Sequence, residues 1–239
     1  MKSTNPVLKR MSGGGEPFGQ PITIDEVVVR TATLFVVLLV TAVPAYVLGL
    51  GEALVFPALL ASLVLFFFIA RSRRVRPGLL LAYAALEGVV VGGISQAYAG
   101  EFGGNVVPQA ILGTLAAFTA ILVAYRTGLI RATAGFTKFM TVALLGYVIF
   151  GVVHLLGVMV GAWDSVYGGG GVLPLLVSAA GVLLATLTLV LDFNQVEKAI
   201  RAGVPAEQAW QAAFGLLLSL VWLYLEVLRF VGIAANSDD

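Results

Sequence analysis

Hydrophobic positions along the chain fall in long unbroken runs rather than in alternation. Seven runs reach the roughly 20 residues that a helix needs to cross about 30 Å of hydrocarbon. They cover approximately Val27–Gly49, Ala53–Ala70, Gly78–Tyr98, Val106–Tyr125, Phe139–Gly161, Val172–Leu191 and Trp210–Ala234. The two-residue alternation of an outer-membrane barrel is not their pattern. The gaps between them are short and rich in glycine, proline or charge, too short for separate soluble domains. This predicts an all-α polytopic membrane protein with seven transmembrane helices. Its expected parts are a cytoplasmic disordered tail over 1–26, a transmembrane domain over 27–235 and a short external acidic tail over 236–239.

Composition agrees with that reading. Of 239 residues, 59% are hydrophobic and 11% charged, where soluble domains carry about 25% charged residues. That excludes a soluble enzyme, a nucleic-acid binder and a secreted scaffold. There is no cysteine, so disulfides, thiolate catalysis and iron–sulfur clusters are excluded, and the single histidine cannot build a multi-histidine metal site. The tail holds Gly13-Gly14-Gly15 and lacks an apolar core, so it is not a cleavable signal peptide. The first span acts as its own insertion signal.

The position of the basic residues sets orientation. Lys2, Lys9, Arg10 and Arg30 precede or open the first span. Arg71, Arg73, Arg74 and Arg76 fill the second gap; Arg126, Arg131 and Lys138 the fourth; Lys198 and Arg201 the sixth. The odd gaps hold only Glu52, Glu101 and Asp164. Thirteen of the fourteen basic residues therefore fall on one side. An N-terminus in the cytoplasm and a C-terminus outside, ending Asp238-Asp239, follow for a plasma (inner) membrane protein.

An ionisable group near mid-bilayer costs about 2.5–3.5 kcal/mol on insertion scales, so each needs a reason. Glu87 lies near the centre of the third span, with Tyr83 one turn before it on the same face. It is either structural glue between helices or a proton- or cation-handling group. In the seventh span Ser219, Trp222, Glu226 and Arg229 recur at three, four and three residues, one helical stripe that calls for surrounding helices rather than lipid. Glu226 and Arg229 form either an i,i+3 ion pair, or Arg229 pairs with Glu87 and leaves Glu226 facing a cavity. Asp192 closes the sixth span, with Thr188 and Gln195 about one turn away; position alone favours a carboxylate at the cytoplasmic interface. The helix then continues through Glu197 and Arg201 until Gly203 and Pro205 stop it. His154 reads as a packing histidine. Gly88 with Gly92, and Gly157 with Gly161, are small-residue pairs that let helix backbones approach.

These residues resemble a known family. Seven spans, Leu191-Asp192-Phe193-Asn194 closing the sixth, and Leu228-Arg229-Phe230-Val231-Gly232 ending the seventh look like the Bax-inhibitor (YccA-like) transmembrane family. Asn5-Pro6-Val7-Leu8, Thr23-Ile24-Asp25-Glu26-Val27-Val28 and Trp222-Leu223-Tyr224-Leu225-Glu226 resemble its actinobacterial-type bacterial branch. The resemblance implies a last helix at the centre of the other six. Members with assigned activity are pH-sensitive calcium leaks, and eukaryotic relatives are linked to suppression of cell death. In the leaks, two aspartates, one ending the sixth helix and one in the seventh, sense pH. Asp192 matches the first, and through it a calcium contact; Ser219 stands at the second, so the two-carboxylate sensor is not intact here. Glu226, two turns further along the stripe, is the candidate substitute.

Two functions follow as expectations. One is a pH-modulated calcium or cation leak using Asp192, Glu226, Glu87, Arg229 and Ser219, with calcium as transported ion and no bound cofactor. The other is a non-conducting interaction or stress-response protein, partnering a membrane protease or another membrane protein. An enzyme is not expected, because no catalytic constellation is recognisable. A retinal protein is excluded, because Lys2, Lys9, Lys138 and Lys198 all lie outside the deep spans.

Overall fold

The computed structural model describes residues 20–72, 75–162 and 172–236. The motif Asn5–Leu8, Arg73, Arg74, Asp164 and Asp238-Asp239 lie outside the described residues. Among the described residues, seven helices are long and apolar enough to cross a membrane. They are α1 (Ile24–Val47), α2 (Gly51–Arg71), α3 (Pro77–Phe102), α4 (Val106–Arg126), α5 (Ala134–Met159), α6 (Val172–Arg201) and α7 (Ala209–Ala235). A 3₁₀ turn, Ala206–Gln208, leads into α7.

Several helices begin or end in polar turns that hydropathy alone does not reveal. Thr23 and Glu26 form a reciprocal capping box that starts α1 at Ile24. Thr133 accepts from the Phe136 N–H and starts α5 at Ala134, five residues before the apolar run. The polar end of α6 runs through Glu197 and Arg201, which pair, to the turn at Gly203, whose φ of 62° suits a residue without a Cβ. Residues 20–26, grouped with the tail by composition, are built into the fold. Ile22 donates to Val204 O at 2.9 Å, and Ala206 donates to Gln20 O at 2.8 Å. Ile22 is buried, and Arg30 clamps the same corner by donating to Ala206 O and lying 5.6 Å from the Trp210 ring.

α7 is the central helix. It packs mainly against α1, α3, α4 and α6, which close a ring around it, while α2 rests outside on α3 and α5 outside on α6. Centrality therefore means four principal neighbours rather than six. In the most apolar stretch of α7, 56% of residues are buried, against 6% in α5. The outer helices present Phe67, Phe68, Val142 and Leu145 to the surroundings, as a lipid solvent allows.

Small residues set the tightest joint. A Cβ on Gly88 would overlap Leu38 O and Thr41 Oγ1, and one on Gly92 would overlap Ala42 O, so α3 lies backbone-to-backbone on α1. The second pair behaves differently: Gly161 follows the end of α5 with φ 69° and has open space where its Cβ would be. It ends a helix instead of joining two. Across the centre, Tyr83 meets Phe214 edge-on at 5.0 Å, and Ser95 and Tyr224 share a hydrogen bond of 2.7 Å.

Gly88→Leu or Gly92→Leu should therefore separate α1 from α3, at about 1–3 kcal/mol or more for overpacking. Thermal unfolding in detergent should show a drop of several degrees for either, and none for Gly100→Ala, where a Cβ meets nothing.

Candidate functional site

α7 borders two separate cavities, and Glu226 and Arg229 of its polar stripe line the second. The first is at the α6–α7 corner, about 180 Å³, lined by Asp192, Gln195, Val196, Ala199, Gln208, Gln211, Ala212 and Gly215. Small residues on α7, Ala212 and Gly215, leave this room, and a Cβ on Gly215 would meet nothing within 4 Å. The second is about 330 Å³, walled by Tyr147, Gly151, His154, Leu155 and Val158 of α5 and by Glu226 and Arg229 of α7.

At the corner, Asp192 is partly buried and accepts a hydrogen bond from the Ser219 hydroxyl. Its Oδ2 is wholly buried and has no hydrogen-bond partner. Such an atom costs roughly 1–3 kcal/mol, more when charged, unless something fills the site. The two positions that the resemblance marks as a sensor pair are therefore neighbours here, as carboxylate and hydroxyl. A hydroxyl can donate to Asp192 but cannot share its charge.

Two turns along α7, Glu226 is buried at 3% exposure. Its Oε1 accepts from Tyr147 Oη at 2.8 Å and from Trp222 Nε1 at 3.0 Å, and its Oε2 accepts from Arg229 at 2.9 Å. This is the i,i+3 ion pair, so Arg229 is not the partner of Glu87. Glu226 nevertheless also faces a cavity, so elements of both readings coexist. Gly181 of α6 makes the space: a Cβ there would overlap Glu226 Oε2 and crowd the Tyr147 hydroxyl. His154 is buried on the wall of the same cavity and stacks on Phe150 at 5.8 Å.

Glu87 stands apart from both cavities. It accepts from the Tyr83 hydroxyl one turn earlier on α3, and Tyr83 in turn packs on Phe214. The five candidate residues thus divide into Asp192 with Ser219, Glu226 with Arg229, and Glu87 alone. Among the described residues no three histidine, aspartate or glutamate side chains converge as a metal site.

Tyr147, Gly181, Gln208 and Gln211 were not singled out by the sequence. Tyr147 and His154 recur with Met140 every seven residues on α5, which marks an inward face. Gln195, Gln208 and Gln211 bracket the α6–α7 turn, an excess of amides beside Asp192.

A bundle of seven apolar helices whose last helix is buried and carries charge defines a polytopic membrane protein. A family model, Bax inhibitor 1 like, matches residues 5–236. The chain belongs to that family. No curated protein matches it.

Removing one partner of a buried pair leaves an uncompensated charge, at about 3–5 kcal/mol. Glu226→Ala should therefore destabilise the protein strongly in detergent melts, and Gly181→Ala should do so by displacing the same carboxylate. The two losses should be far from additive in the double variant, because both act on one contact.

Proposed function

We propose that the protein is a pH-modulated cation leak in a bacterial inner membrane, moving ions along the polar face of α7. The observation that supports this best is Asp192 Oδ2, a buried acceptor with no partner beside a cavity at one end of the bundle. An acceptor so placed is left for a proton, or for water or a cation once the bundle parts to admit one. The bias of basic residues supports a reading with that end and the N-terminus in the cytoplasm and the C-terminus outside. Resemblance to calcium leaks of the YccA-like type, and to the actinobacterial branch, adds calcium as the first ion to test. No catalytic role is assigned to any residue.

Ser219 and Glu226 are seven residues apart, or about 10.5 Å at the helical rise. Leu223, fully buried, lies between them. The two cavities are thus ends of a pathway shut in its middle. Protonation of Asp192 would remove the charge that draws a cation in, so flux should fall as pH is lowered. Releasing Glu226 from Arg229 would loosen the far end, so Glu226→Gln should raise flux.

Purified protein in dye-loaded liposomes should pass calcium or monovalent cations faster at about pH 8 than at about pH 5, where carboxylates begin to take up protons. Asp192→Asn should flatten that pH dependence. Flux equal to that of empty liposomes for every cation would remove the leak reading. A non-conducting interaction protein is then the better account, favoured by the full engagement of Glu226 with three donors. It requires a stoichiometric partner, such as a membrane protease, in mild-detergent pull-downs.

Orientation is tested separately. Alkaline phosphatase fused after residue 239 should be active, and a fluorescent protein that matures only in the cytoplasm should stay dark in the same place. The opposite result would reverse the assignment of the two ends.

A further inference from the structure

We infer that the cleft between α5 and α7 binds an isoprenoid quinone or its quinol, a neutral ring head on an apolar tail. The site does not use Asp192, so it stands or falls independently of the leak.

The cleft has the size and the access for such a head. Its volume is about 330 Å³, within the range of about 300–1,000 Å³ of small-molecule pockets. That admits a one- or two-ring head but not a long tail. The tail has somewhere to go. α5 leans on α6 and has little close contact with α7. Gly151 and Leu155 belong both to the cleft wall and to the exposed face of α5. The cleft therefore opens sideways, toward hydrocarbon, and a tail can stay in lipid.

Charge and depth select against a phospholipid headgroup. Glu226 and Arg229, the two formally charged side chains on the wall, pair at 2.9 Å, so their charges cancel. An anionic phosphate gains no net Coulomb attraction from such a pair. Arg229 lies six residues before the end of α7 at Ala235, and Tyr147 twelve before the end of α5 at Met159. At the helical rise these are about 9 Å and about 18 Å along the axes. Polar groups thus continue to the middle of α5, deeper than the interface where lipid phosphates sit.

What fits is a neutral molecule dissolved in hydrocarbon and carrying few polar atoms. Shape narrows it to a flat one. Tyr147, Gly151 and His154 share one face of α5, and a Cβ on Gly151 would meet nothing within 4 Å. The wall is therefore flat between two aromatic side chains. His154 lies parallel to Phe150, with 10° between the rings, and Tyr147 stands 5.9 Å from Trp222. Imidazole and guanidinium bring N–H donors suited to the carbonyl oxygens of a quinone, and the Glu226 carboxylate is an acceptor suited to the hydroxyl of a quinol. Both forms of the carrier find partners on one wall.

Trp222 donates to Glu226 at 3.0 Å, so its emission reports on the cleft, and quinones quench indole emission on contact. The full chain in phosphatidylcholine nanodiscs would be titrated with a short-tailed menaquinone. Quenching should saturate near one quinone per chain. Gly151→Leu, which fills the cleft, should abolish the saturable part. His154→Leu should weaken it about tenfold, the worth of one good hydrogen bond. Gly146→Leu, on the exposed face of α5 with open space at its Cβ, should leave it unchanged. Melts of each variant check the fold, and His154→Leu decides if Gly151→Leu unfolds. Excess squalene, a tail without a head, and excess cardiolipin, an anionic headgroup, should leave the quenching in place. Quenching that stays linear in quinone, undiminished quenching in a folded Gly151→Leu, or displacement by squalene or cardiolipin would each overturn the site. Saturable quenching without cation flux in liposomes would uphold the site while removing the leak, and flux with only linear quenching would do the reverse.

Discussion

One carboxylate on one helix sets the terms for the whole bundle. In hydrocarbon a polar group must find its partners within the protein, because no water is there to supply them. Glu226 cannot meet that requirement on α7 alone. Trp222 and Arg229 come from its own helix, but the third donor, Tyr147, belongs to α5, and the gap that admits the carboxylate is Gly181 of α6. Three helices are thereby fixed relative to each other at a single point. The remaining walls follow from the need to cover the rest of α7, which α1, α3 and α4 do with apolar faces.

The ring is assembled from two kinds of contact. Near α1 and α3 it depends on absence of side chain: Gly88 and Gly92 let the backbones touch, and dispersion over that close surface replaces the hydrophobic drive that lipid cannot provide. Around α7 it depends on polar and aromatic side chains meeting across helices, as in Tyr83 on Phe214 and Ser95 with Tyr224. The first kind sets distance. The second sets rotation about the helix axis, since a hydroxyl pair tolerates little turning.

Helix number and order were legible in the sequence because an apolar run of 20 residues has few alternatives in a bilayer. The stripe Ser219, Trp222, Glu226 and Arg229 was also legible, since all four share one face of one helix. Contacts between helices were not. Nothing local distinguishes Tyr147 from an aromatic facing lipid, and Gly181 looks like any glycine in a membrane span. Choosing between Arg229 with Glu226 and Arg229 with Glu87 needed the distance between α3 and α7, which hydropathy does not contain. Glu87 proved to be satisfied locally by Tyr83, a partner already visible four residues before it. The corner cavity lay at the limit of legibility: its amides are clustered in the chain, but its emptiness arises from Ala212 and Gly215, seen only when α6 and α7 are packed.

The place of α7 has a consequence for biogenesis. Of the seven helices, the one that all the inner walls are built around is the last to leave the ribosome. Until it arrives, α1 and α3 can already close on each other through Gly88 and Gly92, but the α7-facing surfaces of α3, α4 and α6 have only lipid or each other for cover. The corner at Val204–Ala206, gripped by Ile22 and Arg30 from the start of the chain, is the point at which that late helix turns in. Segments from before the first helix and before the seventh meet there, so the joint can form only after the sixth helix has been made.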